Sequence, residues 1–164
     1  MLAPRIIPSL LVHNKGLVKT VKFKDAKYVG DPINAVKIFN EKESDELMVL
    51  DIDATVQNRE PDYKMIENLA TECRMPLCYG GGIKTVEQAT RIFNLGVEKI
   101  ALSSAVIENI KLVSDISKEV GSQSVVVVID VKKKMFGGYD IYTHNGTKKT
   151  NIDLEKFILD LQSL

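Results

Sequence analysis

Cysteine is scarce in this 164-residue chain, which has only Cys73 and Cys78. Two thiols so few and so close make no disulfide framework, and their spacing is not that of a CxxC redox or zinc motif. They read as reduced core thiols. An excess of one charge is also missing: 22 basic side chains face 22 acidic ones, for a net charge of zero. No long-range field gathers polyanions or anionic lipid, so nucleic acid and membrane surfaces are not expected as partners. Long hydrophobic runs are absent too. The longest, Val125 to Ile129, has five residues, whereas a spanning helix needs about 20. The opening Met1-Leu2-Ala3-Pro4-Arg5 lacks the basic cap, apolar stretch and small-residue cleavage site of a secretory signal, which points to the cytoplasm. His13 and His144 have no HxxxH-type spacing around them, and no ligand cluster calls for a metal. Both read as loop residues, nothing indicates a redox cofactor, and Lys132-Lys133-Lys134 reads as a solvated loop.

With 45% apolar and 27% charged residues, the chain is able to bury one ordinary globular core. Short Val- and Ile-rich runs recur, each followed by helical periodicity, which is the pattern of successive βα units with parallel strands. The strand runs are Arg5–Val12, Glu46–Ile52, Met75–Tyr79, Glu98–Ser103 and Ser124–Val131. Helices are expected from Asp31-Pro32 to about Glu43, over Asp62–Cys73, from the Thr85 capping box to Gly96, over Asn109–Val120, and along a stripe of Leu154, Phe157, Ile158 and Leu161. A small hairpin is expected over Met135–Thr147, where Phe136, Tyr139, Ile141 and Tyr142 surround Gly137-Gly138. Pro8 sits awkwardly inside the first run, because a central strand needs every N–H. Five units in 164 residues is about 33 each, and eight would approach the roughly 250 residues of a (βα)8 TIM barrel. The fold expected is therefore α/β, with the first five units of such a barrel in a single domain. A flavodoxin-like open sheet is the alternative.

In parallel α/β folds the functional groups gather just past the C-terminal ends of the strands. Gly80-Gly81-Gly82-Ile83 follows the third run and Ser103-Ser104-Ala105 the fourth. Glycines let backbone N–H groups approach a phosphate, and the serines add hydroxyls, so the pair of loops reads as an anion site. Asp51 and Asp53 end the second run and Asp130 the fifth. Carboxylates so placed suit acid/base work or hydroxyl recognition, although a loop-ordering aspartate is the plainer reading. Five apolar residues precede Asp130, which favours a functional role in a partly dry pocket. Arg5, Glu46 and Lys99 begin runs one, two and four, placing mixed charge at the opposite end of the barrel, where a salt-bridged layer reads as structural.

The segments Arg5-Ile6-Ile7-Pro8, Gly30-Asp31-Pro32, Asp45-Glu46-Leu47, Leu50-Asp51-Ile52, Tyr79 to Ile83 and Gly121 to Val125 resemble the cyclase subunit of imidazole glycerol phosphate synthase, the HisF family. That resemblance implies an eightfold barrel. It would take ammonia from a glutaminase subunit and join it to a phosphorylated ribulosyl aminoimidazole carboxamide nucleotide. Gly82, Ser103 and Ser104 match the family's first phosphate site, in which the last two are usually Asn and Thr. Lys19 matches a lysine on the mobile loop after strand one. Arg5, Glu46 and Lys99 match the charged gate for ammonia, and Asp130 matches one of two catalytic aspartates.

The other catalytic aspartate aligns with Leu11. This departure, with the segment Ser9 to Gly16, resembles the HisF-like branch found with surface-polysaccharide genes, in which a sugar acetamido group is converted to an acetamidino group. On that reading Asp130 is the acid/base residue, Asp51 helps hold the substrate, and Gly80 to Gly82 with Ser103 and Ser104 grip its phosphate. Three units of the family pattern lie beyond Leu164, so homo-oligomerisation through open barrel edges is also expected. A competing expectation is a non-catalytic, phosphate-binding half-barrel that self-associates or is an inactive fragment.

Overall fold

A computed structural model describes residues 4–21, 24–135 and 137–164. Met1 to Ala3 of the opening segment and Phe136 of the expected hairpin lie outside the described residues. Five parallel strands, β1 (Ser9–His13), β4 (Leu47–Asp51), β5 (Leu77–Gly80), β6 (Lys99–Leu102) and β7 (Val125–Val127), pair in the order in which they occur along the chain. A flavodoxin-like sheet would reverse direction after its first crossover. Here the order never reverses, which is the progression of a barrel wall.

The helices start where side-chain caps direct them. Asp31 accepts from the Asn34 N–H at 3.0 Å and opens α1 (Pro32–Glu41). Asp62 accepts from Met65 at 3.1 Å and opens α2 (Tyr63–Glu72). Thr85 accepts from Gln88 at 3.2 Å before α3 (Val86–Asn94), and Asp153 accepts from Lys156 at 2.9 Å before α6 (Leu154–Gln162). Each such cap is worth about 1 kcal/mol. Between β6 and β7 come a short α4 (Ser104–Glu108) and then α5 (Lys111–Val120). On α6, Phe157 is buried and Leu154 and Leu161 pack against the core, while Ile158 is 40% exposed and drops out of the expected stripe.

Strand alternation divides the sheet into two faces. Val12, Val49, Tyr79 and Ile100 share one apolar core with Val36, Ile66, Leu69, Ala89, Ile92 and Ile116 of the helices. The other face carries the register row Leu11–Leu50–Gly80–Ala101–Val126, with Ser9–Met48–Cys78–Lys99 one step toward the strands' N-termini.

Three elements depart from the sequence expectation. The first strand begins at Ser9, so Arg5 precedes it and is exposed. Pro8 stands just outside, where its carbonyl accepts from the Met48 N–H at 2.9 Å and its missing N–H costs nothing. The segment after β1 is an antiparallel hairpin, β2 (Gly16–Val21) and β3 (Lys24–Gly30), which extends the sheet beside β1. The fifth run divides at Val128-Ile129: β7 ends there, and β8 (Asp130–Lys133) pairs with β9 (Tyr139–Thr143), which carries β10 (Lys148–Lys149). The expected hairpin is therefore present, but it starts at Asp130. No described helix is long and apolar enough to cross a membrane.

Candidate functional site

Small residues in the inner row let neighbouring strands pack closely. A Cβ on Gly80 would lie 2.7 Å from Leu50 Cδ2 and 2.9 Å from the Ala101 Cβ. Above this row a cleft of about 110 Å³ opens at the C-terminal ends of the strands. Its walls include Leu11, the Gly80–Gly82 turn, Ser103, Ser104 and Asp130. The turn is tied to glycine by geometry: Gly81 has φ +122°, and a Cβ there would lie 2.4 Å from the Asp51 carbonyl oxygen. At Gly82, with φ +75°, a Cβ would lie 2.9 Å from both the Ala54 Cβ and the Arg59 carbonyl oxygen. Close packing of two loops thus requires these glycines, and it also brings their backbone to the cleft wall. Neither the Ser103 nor the Ser104 hydroxyl hydrogen-bonds to another described residue, so both retain donor and acceptor capacity toward a ligand.

Asp130 is half-buried at the start of β8, and burial pushes its carboxyl above the usual aspartate value. On β1 the cleft is lined by the aliphatic Leu11. Asp51 borders the cleft, but its carboxylate turns to its own loop. Oδ1 accepts from the Asp53 and Ala54 N–H groups at 3.0 and 3.1 Å, and Oδ2 pairs with Arg59 Nη2 at 2.9 Å. At 4% exposure it is saturated by protein donors, so the geometry makes it a loop-ordering residue. Asp53 acts similarly: His13 Nδ1 lies 2.6 Å from its Oδ1, and the Asn14 N–H donates to its Oδ2 at 2.8 Å.

At the opposite end of the inner face, Lys99 Nζ meets Glu46 Oε2 at 2.6 Å, with Glu46 3% exposed. Cys78 lies beside this pair in register, and burial, then the Glu46 charge, push its thiol up to about 12. Arg5 is exposed and joins no ion pair among the described residues. Lys19 lies exposed on β2, in register with Lys27, and away from the cleft wall. The resemblance placed it on the loop after strand one, and here that segment carries the strands β2 and β3.

Two wall residues were not among the expected site residues: His144, read from the sequence as a loop residue, and Asn145. Both follow β9 with left-handed backbone, φ 53° and 55°, and Asn145 Nδ2 donates to the Ile52 carbonyl at 2.8 Å. That contact brings the hairpin tip over the cleft. The sequence signal was the pairing of a hairpin insertion with a His-Asn-Gly turn, a combination suited to positive φ. Among the described residues, no group of three or more His, Cys, Asp or Glu is placed to hold a metal ion.

Residues 5–164 match the family model described as histidine biosynthesis protein. A Vibrio vulnificus (strain YJ016) protein, provisionally named imidazole glycerol phosphate synthase subunit hisF3, is 62% identical over all of this chain and 64% of its own length. A Leptospira borgpetersenii protein, provisionally named as the HisF subunit, is 58% identical over all of this chain and 65% of its own. A Pseudomonas aeruginosa protein, provisionally named subunit hisF2, is 55% identical over 90% of this chain and 59% of its own length. The chain spans less than two thirds of the length of these relatives. Sequential βα units, a cleft at the strands' C-terminal ends and these matches agree: the chain belongs to the histidine biosynthesis protein family, is similar to its HisF-named members, and forms five βα units of the (βα)8 barrel architecture.

Proposed function

We propose that this chain is part of a HisF-like synthase subunit that takes ammonia from a glutaminase partner and adds it to a phosphorylated substrate, and that the acceptor is an acetamido sugar rather than the histidine-pathway nucleotide. One observation carries the choice of acceptor: of the two carboxylates lining the cleft, Asp51 is held by its own loop and Asp130 alone is left for proton transfer, while β1 contributes the aliphatic Leu11. Closing an imidazole ring calls for several proton transfers, and one of two carriers is gone. Replacing an acetamido oxygen by the ammonia nitrogen forms a C=N bond and breaks the C=O bond, and one carboxyl group can relay the two ammonia protons to the oxygen that leaves as water.

In this reading the Gly80–Gly82 turn with Ser103 and Ser104 holds the phosphate. Asp130, whose burial favours the protonated form, moves a proton between the incoming nitrogen and the departing oxygen. The Glu46–Lys99 pair gates ammonia at the far end of the inner face, with Arg5 contributing at its rim. Lys19, exposed on the β2–β3 hairpin away from the cleft wall, meets only a part of the substrate that extends out of the cleft, and Asp51 positions the glycine turn through its loop. The chemistry belongs to the cytoplasm, where a glutaminase supplies the ammonia.

The test uses the full-length protein with an ammonium salt and each acceptor in turn. Ammonia-dependent amidination of an acetamido sugar is expected, with Asp130→Asn lowering turnover about 10²–10⁴-fold. Turnover of the carboxamide nucleotide instead would overturn the choice of acceptor. Phosphate binding without turnover of either acceptor would establish the non-catalytic binding module in its place.

A further inference from the structure

Next to the first cleft lies a second, of about 280 Å³, lined by Val56, Asn58, Lys84 and Glu108 among others. The two share the wall residues Thr55, Ile83, Ser104, Ala105 and His144. His144 is the titratable member of this shared wall, half-buried between the two spaces. Its Nδ1 lies 3.0 Å from Thr143 Oγ1, and Nε2 makes no hydrogen bond with a described residue. The backbone around it is held firmly. Thr147 Oγ1 donates to the His144 carbonyl at 2.6 Å, Lys132 Nζ donates to the Gly146 carbonyl at 2.5 Å, and Asn145 anchors the tip to Ile52. A non-glycine residue in left-handed backbone costs about 1–2 kcal/mol, and such strain concentrates where a side chain has to be aimed.

We propose that the His144 imidazole is a ligand-contacting residue of this site, standing beside Ser104 against the phosphate and donating to it when protonated. The inference rests on the reading of the cleft as a phosphate site and adds a residue to it. A protonated imidazole supplies a charge-assisted hydrogen bond, so anion affinity rises as the ring takes up its proton. The charged groups that face the two clefts are Asp51, Asp130, Lys84 and Glu108, with Lys132 behind the hairpin tip. Asp51 is paired with Arg59, and Lys84 bonds to Asn58. Burial holds the Asp130 carboxyl above the usual aspartate value.

The probe is inorganic sulfate, a dianion throughout pH 5–8, titrated calorimetrically into the full-length protein. Tighter binding at pH 5.5 than at pH 8 is expected. His144→Gln should weaken binding about tenfold at the lower pH and flatten the dependence. In the wild type, the His144 ring resonances should titrate at higher pH when sulfate is present, a readout that needs no variant to fold. Sulfate binding that His144→Gln and the ring titration both ignore would overturn this inference alone. Failure of the wild type to bind sulfate would overturn the phosphate-site reading and this inference together.

Discussion

Asp130 and Asp51 are both aspartates at strand ends, yet their surroundings give them opposite uses. Asp51 is surrounded by N–H and guanidinium donors that stabilise its charge, whereas burial is the cause resolved at Asp130, and it disfavours the charged form. The folded chain therefore holds the Asp130 proton more tightly than the unfolded chain does. Between the ordinary aspartate value of 3.8 and the raised folded value, the folded state keeps a proton that the unfolded state has released, so stability falls as pH rises through that window. Asp130→Asn removes this term. Urea unfolding should show the Asn variant gaining on the wild type as pH rises from below 3.8 to neutrality, with a constant gap above the folded value. A gap that is the same at pH 3 and pH 7 would show that Asp130 titrates as an ordinary exposed aspartate.

At the scale of elements, loop packing dominates. The glycine turn after β5 fits against the β4 loop because Gly81 lacks a Cβ that would collide with a carbonyl oxygen. Gly81→Ala is expected to cost about 2–3 kcal/mol, in the range of mutations that force a special backbone position, read as a lowered urea midpoint with unchanged slope. Helices were legible in the sequence because their caps are local: Asp31, Asp62, Thr85 and Asp153 each meet an N–H three residues on. The β2–β3 hairpin was not legible. β3 exposes every residue from Lys24 to Val29, so no alternation of apolar and polar side chains marks it. At the site, the glycine and serine turns and Asp130 were visible as strand-end residues. His144 was not, because the contact that brings it there spans 93 residues of chain, from Asn145 to Ile52.

On the scale of the whole molecule, chemistry is separated along the inner face, with the cleft at one end and the Glu46–Lys99 pair at the other. A buried carboxylate is tolerable only with its partner, so Lys99→Met should be strongly destabilising, by up to about 3–5 kcal/mol less the screening at the part-exposed lysine. Adding Glu46→Gln should recover most of that loss, because the neutral pair no longer buries a charge. Thermal or urea unfolding of the single and double variants measures this. Strictly additive effects would mean that the two side chains are not energetically coupled.

Pro8 bears on how this wall assembles. Its carbonyl serves the β4 ladder, while its ring offers no hydrogen to donate. Sliding β1 by two residues, so that Pro8 took the place Leu10 holds opposite Val49, would preserve which side chains face inward and so escape correction by hydrophobic patterning. The ring would then stand where the ladder needs a donor, leaving a carbonyl on β4 bare. A single imino acid thus works as a latch against the misalignment that the apolar pattern tolerates, and it fixes the height of Leu11 relative to the glycine turn across the cleft.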